Sequence, residues 1–389
     1  MAGHAAIAKD GVRLAKHKTL ESFSSKNRDV KRLQHDQLIM QSRFGPVLSS
    51  GPTDRYLYFF EAFVQRNVFV PNMSSYNIDI QTLFGTTSGQ FLRQAVVSLG
   101  ALQASRLMHG ETGDGWLMHM VHGTANALQA AGPQACKSGL GRSFFLQARI
   151  FEASRALLLG ESTFLSDPGW EGLTETDQAA DGSSNRSCLD VMLSIIVQCS
   201  RLRAQAFQLL QRIGVPQASP QIPPHAPDIA KEGFRLRQVL DIWRIENLFP
   251  LPRASHHPYS SPGLDVSPEV LLSNVFFAAI SIYLSGIFDY EIVHWQRWRI
   301  PVPTITEPEI QEHLGDILYL TNVGLHGTSL SPLLFLFPLR IAGARCSVTS
   351  QMDCVQLLLA LISRDFAVAG VFSSELDRVW QGKPQVGGL

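Results

Sequence analysis

Residues 275–290, VFFAAISIYLSGIFDY, place large apolar side chains at nearly every position. In a helix, such a run puts apolar groups on every side, which is typical of an element buried within a core. The run ends in Gly286, Asp289 and Tyr290, which suit the end of a buried helix, and Trp295 follows shortly after. It has about 14 mostly apolar residues, whereas a membrane span needs about 20. We therefore predict a buried core helix and no insertion into a membrane.

The composition is that of a globular protein with no overall charge. The 389 residues are 45% hydrophobic and 17% charged, and 33 Lys and Arg residues balance 33 Asp and Glu residues. This balance leaves no global positive field to attract nucleic acid, and it leaves little net charge to oppose association with another protein. The five cysteines are odd in number and lack a paired spacing, which favours a reducing, intracellular compartment.

Apolar residues recur at steps of three and four along most of the chain, which predicts amphipathic helices. Proline and glycine separate these runs, and no segment keeps the alternation of a strand, so the predicted fold class is all-α. Gly160 is predicted as a helix C-cap, and 172–187 as a mobile insertion. The predicted helices are 56–64, 92–108, 116–131, 143–160, 188–213, 230–247, 269–288, 307–324, 330–345, 351–369 and 373–381.

The chain is expected to have a basic arm followed by one helical domain. Residues 1–36 carry eight Lys and Arg against four Asp and Glu, and we predict a disordered arm over 1–43. This arm is a solvated tail, a nuclear-import patch or a phosphate-binding segment, and the sequence leaves the three open. Residues 44–389 are predicted to form a single large domain of ten or more helices with proline-rich connecting loops.

Four segments, in this order, resemble the fungal-specific transcription factor domain. That domain is the helical regulatory region that follows the binuclear zinc cluster in many fungal transcription factors. The resemblance implies an all-α fold, transcription regulation in the nucleus and, as a setting, control of a secondary-metabolite gene cluster. The segments are LRQAVVSLGAL at 92–102, RIFEASRALLLG at 149–160, VFFAAISIYLSGIFDY at 275–290 and FPLRIAG at 337–343.

The sequence departs from this family at its beginning, because no cysteine precedes Cys136. The six closely spaced cysteines that hold two zinc ions in the DNA-binding members are therefore missing. Three explanations stay open: a regulator that acts through partners, a sequence that lacks its first exon, or a helical domain recruited for ligand binding or catalysis. The first predicts a protein partner or a homodimer, with DNA contacted indirectly or weakly through the basic arm.

Motifs for cofactors and catalysis are weak in this sequence. His119 and His122 lie three residues apart on a predicted helix, but no acidic residue stands at the spacing of a zinc protease motif. The glycines at 110–115 are not followed by the Gly-Lys-Ser/Thr of a phosphate loop, and no dinucleotide fingerprint occurs. We predict no cofactor and no metal, and the sequence assigns no catalytic residue.

A few polar and aromatic side chains could line a pocket or a contact surface. Glu152 and Arg155, three residues apart, could form an ion pair worth a few tenths of a kcal/mol if exposed. Helix capping would explain Asp289 and Tyr290 equally well. The sequence predicts a transcription regulator, and the alternative is a small-molecule-binding protein or an enzyme of a biosynthetic pathway. The residues selected as site candidates are His119, His122, Glu152, Arg155, Asp289, Tyr290 and Trp295.

Overall fold

A computed structural model describes residues 124–175, 187–213, 222–247, 267–366 and 368–382. All of these residues belong to one compact unit of the chain. The predicted arm, its boundary at residue 43, and the predicted helices 56–64 and 92–108 lie outside the described residues.

The described residues form eleven α-helices and no β-strand, which confirms the all-α prediction. Short 3₁₀ turns at Phe164–Ser166 and Pro332–Phe335 connect some of them. The helices are α1 (Thr124–Ala135), α2 (Gly139–Leu159), α3 (Pro168–Glu175), α4 (Cys188–Ile213), α5 (Ala226–Asn247), α6 (Pro268–Asp289), α7 (Ile292–Arg297), α8 (Glu307–Gly327), α9 (Leu336–Arg345), α10 (Thr349–Ser363) and α11 (Val368–Gln381).

Helix boundaries agree with the sequence pattern where capping residues are clear. The long helix predicted over 188–213 has the same bounds as α4. Gly160 follows α2 in the left-handed conformation, with φ 66°, as expected for a glycine C-cap. The helix predicted over 351–369 was wrong, because the structure ends α10 at Ser363 and starts α11 at Val368. Part of the insertion predicted over 172–187 is also helical, since α3 extends to Glu175.

The centre of the described fold is α6, which contains the run of apolar residues at 275–290. The helix contacts α4, α5, α8 and α9, and 17 of its 22 residues are buried. The helix predicted over 269–288 agrees with α6 to within one residue at each end. Helix α6 begins at Pro268, where the Ser267 side chain accepts a hydrogen bond from the Val270 N–H.

By length and composition α6 is the one described helix that could cross a membrane, with a mean hydropathy of 1.9 over its most apolar window. However, 89% of that window is buried inside the protein. Two polar side chains of α6 bond within the helix: Ser273 and Asn274 donate to the carbonyl oxygens of Glu269 and Val270, each at 2.8 Å. A helix enclosed in this way is typical of a protein core.

Glycines allow close contacts between several helices. On α9, a Cβ at Gly343 would lie 2.5 Å from Leu376 Cδ1 of α11. On α8, a Cβ at Gly324 would lie 2.4 Å from Cζ of Phe335 and 3.2 Å from Cδ2 of Leu271. Because the Phe335 ring is fully buried, it has little room to move away.

We expect Gly324→Ala to lower the free energy of unfolding by about 1–3 kcal/mol, because the new methyl group overpacks the contact with Phe335. Gly315→Ala is a matched control on the same helix, since a Cβ there meets nothing within 4 Å. That control should stabilise the protein by up to about 1 kcal/mol through better helix propensity. Urea denaturation of both variants checks this, and equal effects would contradict the close contact.

Candidate functional site

The histidines proposed as a pair, His119 and His122, lie outside the described residues. Glu152 and Arg155 are described, and they form the predicted ion pair on α2. Arg155 donates from Nε and Nη2 to the two carboxylate oxygens of Glu152 at 2.7 and 2.8 Å. The Thr163 hydroxyl donates to Glu152 at 2.8 Å, and Arg155 also reaches Glu161 at 2.8 Å.

This ion pair is buried, so the small stabilisation considered for an exposed pair does not apply. The side chain of Glu152 is only 2% exposed and that of Arg155 is 11% exposed. The hydrogen bonds to Glu152 raise the pKa of Arg155 further above its ordinary value, which keeps the guanidinium charged. The hydrogen-bond donors to the Glu152 carboxylate are Arg155 of α2 and Thr163 of the turn that follows α2. Such charge-assisted bonds are typical of a structural contact between two segments.

Asp289 and Tyr290 form a second cluster at the end of α6. The carboxylate of Asp289 accepts hydrogen bonds from Arg345 at 3.0 Å and from the Ser285 hydroxyl at 2.6 Å. The Arg345 guanidinium lies over the Tyr290 ring, 4.7 Å from its centroid. In turn, the backbone N–H of Ile305 donates to Ser285 at 3.0 Å. The cluster therefore joins the end of α6 to the end of α9 and to the segment before α8.

Trp295 belongs to the core of the described fold. Its ring is fully buried and packs edge-on against Phe288 at 5.2 Å and against Trp298 at 5.4 Å. Its position explains why α7, only six residues long, is fixed against α6. The two described carboxylates among the site candidates, Glu152 and Asp289, thus have different partners and belong to separate clusters.

A cleft that the sequence did not predict lies between α2, α3, α4 and α5, and we call it the α2–α5 cleft. Its volume is about 390 Å³, which is near the lower end of the usual range for ligand pockets. Thirteen side chains line it: Phe145, Arg149, Ala153, Leu165, Trp170, Glu171, Leu193, Ser194, Val197, Gln198, Arg201, Glu232 and Arg235.

The apolar side chains that line the α2–α5 cleft are tightly packed against one another. Trp170 of α3 is stacked on Phe145 of α2, with ring centroids 5.7 Å apart, and it meets Phe164 edge-on at 4.9 Å. Leu193 and Val197 of α4 are also buried. Aromatic rings held by such contacts give a firm surface, because moving one ring disturbs its neighbours.

The charged residues of the α2–α5 cleft are engaged to different degrees. Arg235 donates two hydrogen bonds to Glu232, each at 2.7 Å, and these two bonds lower the pKa of Glu232. Arg235 also donates to Gln198. Arg149 is paired with Asp190 of α4. Arg201, in contrast, lies 3.6 Å from a carboxylate oxygen of Glu171, which is beyond hydrogen-bond distance, and both side chains are nearly half exposed.

The cleft could not be predicted from the sequence, because its residues come from four separate helices and a 3₁₀ turn. Trp170 follows the second segment of the family resemblance in the sequence, but its position in the sequence does not show which side chains it faces. Arg201, Glu232 and Arg235 sit on ordinary amphipathic helices, where charged residues usually face solvent. Only the packing of α4 against α2 and α5 brings them together.

The described residues contain no group of three His, Cys, Asp or Glu side chains placed to hold a metal ion. No disulfide joins any of the five cysteines, all of which lie in the described ranges. Burial raises the pKa of Cys199 to about 12, so this thiol stays protonated at neutral pH. Burial, aided by Arg237 and Arg244, lowers the pKa of His313 to about 4, so its ring stays neutral.

Comparisons with known proteins give little further guidance. No family model matches the sequence, and no solved structure matches it. An uncharacterized protein of Emericella nidulans is 36% identical over 76 residues, which are 20% of this chain and 16% of that relative. The chain therefore matches less than a fifth of the relative's length.

Proposed function

We propose that the protein is a transcription regulator of the fungal-specific type, which acts in the nucleus through a protein partner or as a homodimer. The observation that carries the proposal is the packing of the segments that resemble this family. The segments at 275–290 and 337–343 lie on α6 and α9, and the Phe337 ring packs edge-on against Phe276 at 6.4 Å and Tyr283 at 6.2 Å.

The segment at 149–160 joins the same core, because α9 also contacts α2. Three segments that are far apart in the sequence are thus connected through α9, which contacts both α6 and α2. This is expected if they are parts of one domain pattern. The fourth segment, 92–102, lies outside the described residues.

An exposed apolar surface on α5 supports a protein partner. Phe234, Ile242 and Ile245 are spaced by eight and three residues, which places them on one helical face. All three are exposed, and Ile245 has 85% of its surface accessible. We call this set the α5 outer stripe. Grouped exposed apolar side chains on a folded protein mark interaction surfaces.

Direct reading of DNA is a minor part of the proposal. The 389 residues carry no net charge and so no global positive field that would attract DNA; we assign sequence-specific DNA contact to a partner. Any contact through the basic arm would be to phosphates, weak and strongly dependent on salt. Control of a secondary-metabolite gene cluster is the setting implied by the family resemblance.

The proposal is tested by fusing the full chain to a heterologous DNA-binding domain and measuring a reporter gene in fungal cells. We expect the fusion to raise or lower expression relative to the DNA-binding domain alone. Ile242→Ser with Ile245→Ser should abolish this effect, because polar residues weaken the apolar contact. Glu246→Ser, at an exposed position of the same helix, is the matched control and should leave the effect intact.

Two results would contradict the proposal. A fusion that is expressed and folded but does not change reporter expression would contradict a role in transcription regulation. Tight, sequence-selective binding of the purified chain to duplex DNA at physiological salt would remove the dependence on a partner.

A further inference from the structure

We propose that the junction of α5, α6 and α8 is an acid-sensitive contact, which holds α5 in place while the His313 ring is neutral and loosens when that ring takes up a proton. His313 lies on α8, and α5 is the helix that carries the α5 outer stripe. This inference goes beyond transcription regulation and does not depend on it, because the opening of α5 is measured on the purified chain without DNA or a partner protein.

Aromatic contacts connect His313 to α5. The His313 ring meets Phe277 of α6 edge-on, with ring centroids 5.6 Å apart. Phe277 is in turn stacked on Trp243 of α5, with ring centroids 5.3 Å apart, and both of these side chains are buried. A single phenyl ring thus lies between the histidine and the indole. A change of charge on His313 therefore acts on the contact that holds α5 against α6.

The surroundings of His313 suit a neutral ring. Its Nδ1 atom is buried and has no hydrogen-bond partner among the residues that the structure describes. A neutral imidazole carries a hydrogen on one nitrogen only, whereas a protonated ring carries one on both nitrogens and has a positive charge. Protonation would therefore place a buried N–H without an acceptor, and a buried charge, at the junction. Both cost free energy.

The charged side chains that act on His313 are Arg237 and Arg244 of α5 and Glu309 of α8, and the two arginines oppose its protonation. Arg237 is held at the junction, because it donates to the carbonyl oxygen of Ser281 of α6 at 3.1 Å. Glu309 favours protonation, but its carboxylate is bonded in the capping box of α8. A proton on His313 would therefore repel two cations of α5, and like charges repel more strongly where water is largely excluded.

The direction of the pH effect follows from the two environments of the ring. With α5 in place, burial and the two arginines lower the pKa of His313 to about 4. In an opened junction, where water reaches the ring, its pKa has the ordinary value of about 6.5. The opened form therefore binds the proton more tightly. The closed contact has its full stability above about pH 6.5 and loses stability as the pH falls from about 6.5 to about 4.

Hydrogen exchange of the purified full chain, followed by mass spectrometry and corrected for the intrinsic effect of pH on exchange, measures the opening of α5. Between about pH 7.5 and about pH 5, we expect the protection of α5 peptides to fall by about tenfold. His313→Gln removes the titrating group, so this acid loss should disappear. His326→Gln, at an exposed position of the same helix, is the matched control and should keep the acid loss of the wild-type chain.

Three results would overturn the proposal. These are protection of α5 that is the same at both pH values, an acid loss in His313→Gln equal to that of the wild-type chain, and an equal acid loss in peptides of α11, which would indicate general unfolding. If His313→Gln does not fold, then Arg244→Gln decides. Removing this cation should raise the pKa of His313 and reduce the acid loss, and an unchanged acid loss rejects the proposal.

Discussion

Replacing Glu152 with alanine should lower the free energy of unfolding by about 3–5 kcal/mol. The substitution removes the carboxylate that accepts two hydrogen bonds from Arg155 and one from the Thr163 hydroxyl. The Arg155 side chain is only 11% exposed, so its positive charge would be left largely out of water with weaker compensation. Denaturation in guanidinium chloride, monitored by circular dichroism, measures the loss.

The neighbouring acidic residue offers a matched control. Glu161 also bonds Arg155, at 2.8 Å, but its side chain is 60% exposed. Glu161→Ala should therefore cost no more than about 1 kcal/mol. If both alanine variants lose the same small amount, then water replaces Glu152 as readily as Glu161, and the buried pair does not have the structural role that we give it.

Trp295→Ala should lower the free energy of unfolding by about 3–5 kcal/mol, as expected for removal of a fully buried tryptophan. The substitution would leave a cavity between Phe288 and Trp298 and would loosen α7 from the end of α6. Trp295→Phe should cost less. It keeps an aromatic ring, and it removes a buried indole N–H that has no hydrogen-bond acceptor within the described ranges.

Val293 lies on the same short helix and provides the control for Trp295. It is 69% exposed, so Val293→Ala should change the free energy of unfolding by no more than about 0.5 kcal/mol. Thermal unfolding of the three variants, followed by near-ultraviolet circular dichroism, gives the order of stability. A Trp295→Ala variant as stable as Val293→Ala would contradict the packing that we describe.

The long helices could be predicted because their apolar residues repeat over many turns. Helix α4 spans 26 residues, and its pattern is clear enough to place both ends. The short helices α3 and α7, of eight and six residues, were missed because so few turns show no periodicity. The break between α10 and α11 was also missed, since neither glycine nor proline interrupts the sequence at 364–367.

The candidate sites show where reasoning from sequence reaches its limit. The spacing of Glu152 and Arg155 predicted their contact, because residues three apart share a helical face. It could not predict their burial, which depends on the helices packed around α2. Arg201 and Trp170 are separated by 31 positions, and only the packing of the helices places both on one cleft.

The enclosure of α6 has a consequence for the conformational freedom of the protein. A helix that is surrounded by α4, α5, α8 and α9 has no open side toward which it can shift, because protein interiors are close-packed. Binding of a ligand or partner to this unit would therefore displace its peripheral helices and leave α6 in place. The shortest helix, α7, is fixed by the buried Trp295. The next shortest is α3, with eight residues, which makes it the element that small displacements would reach first.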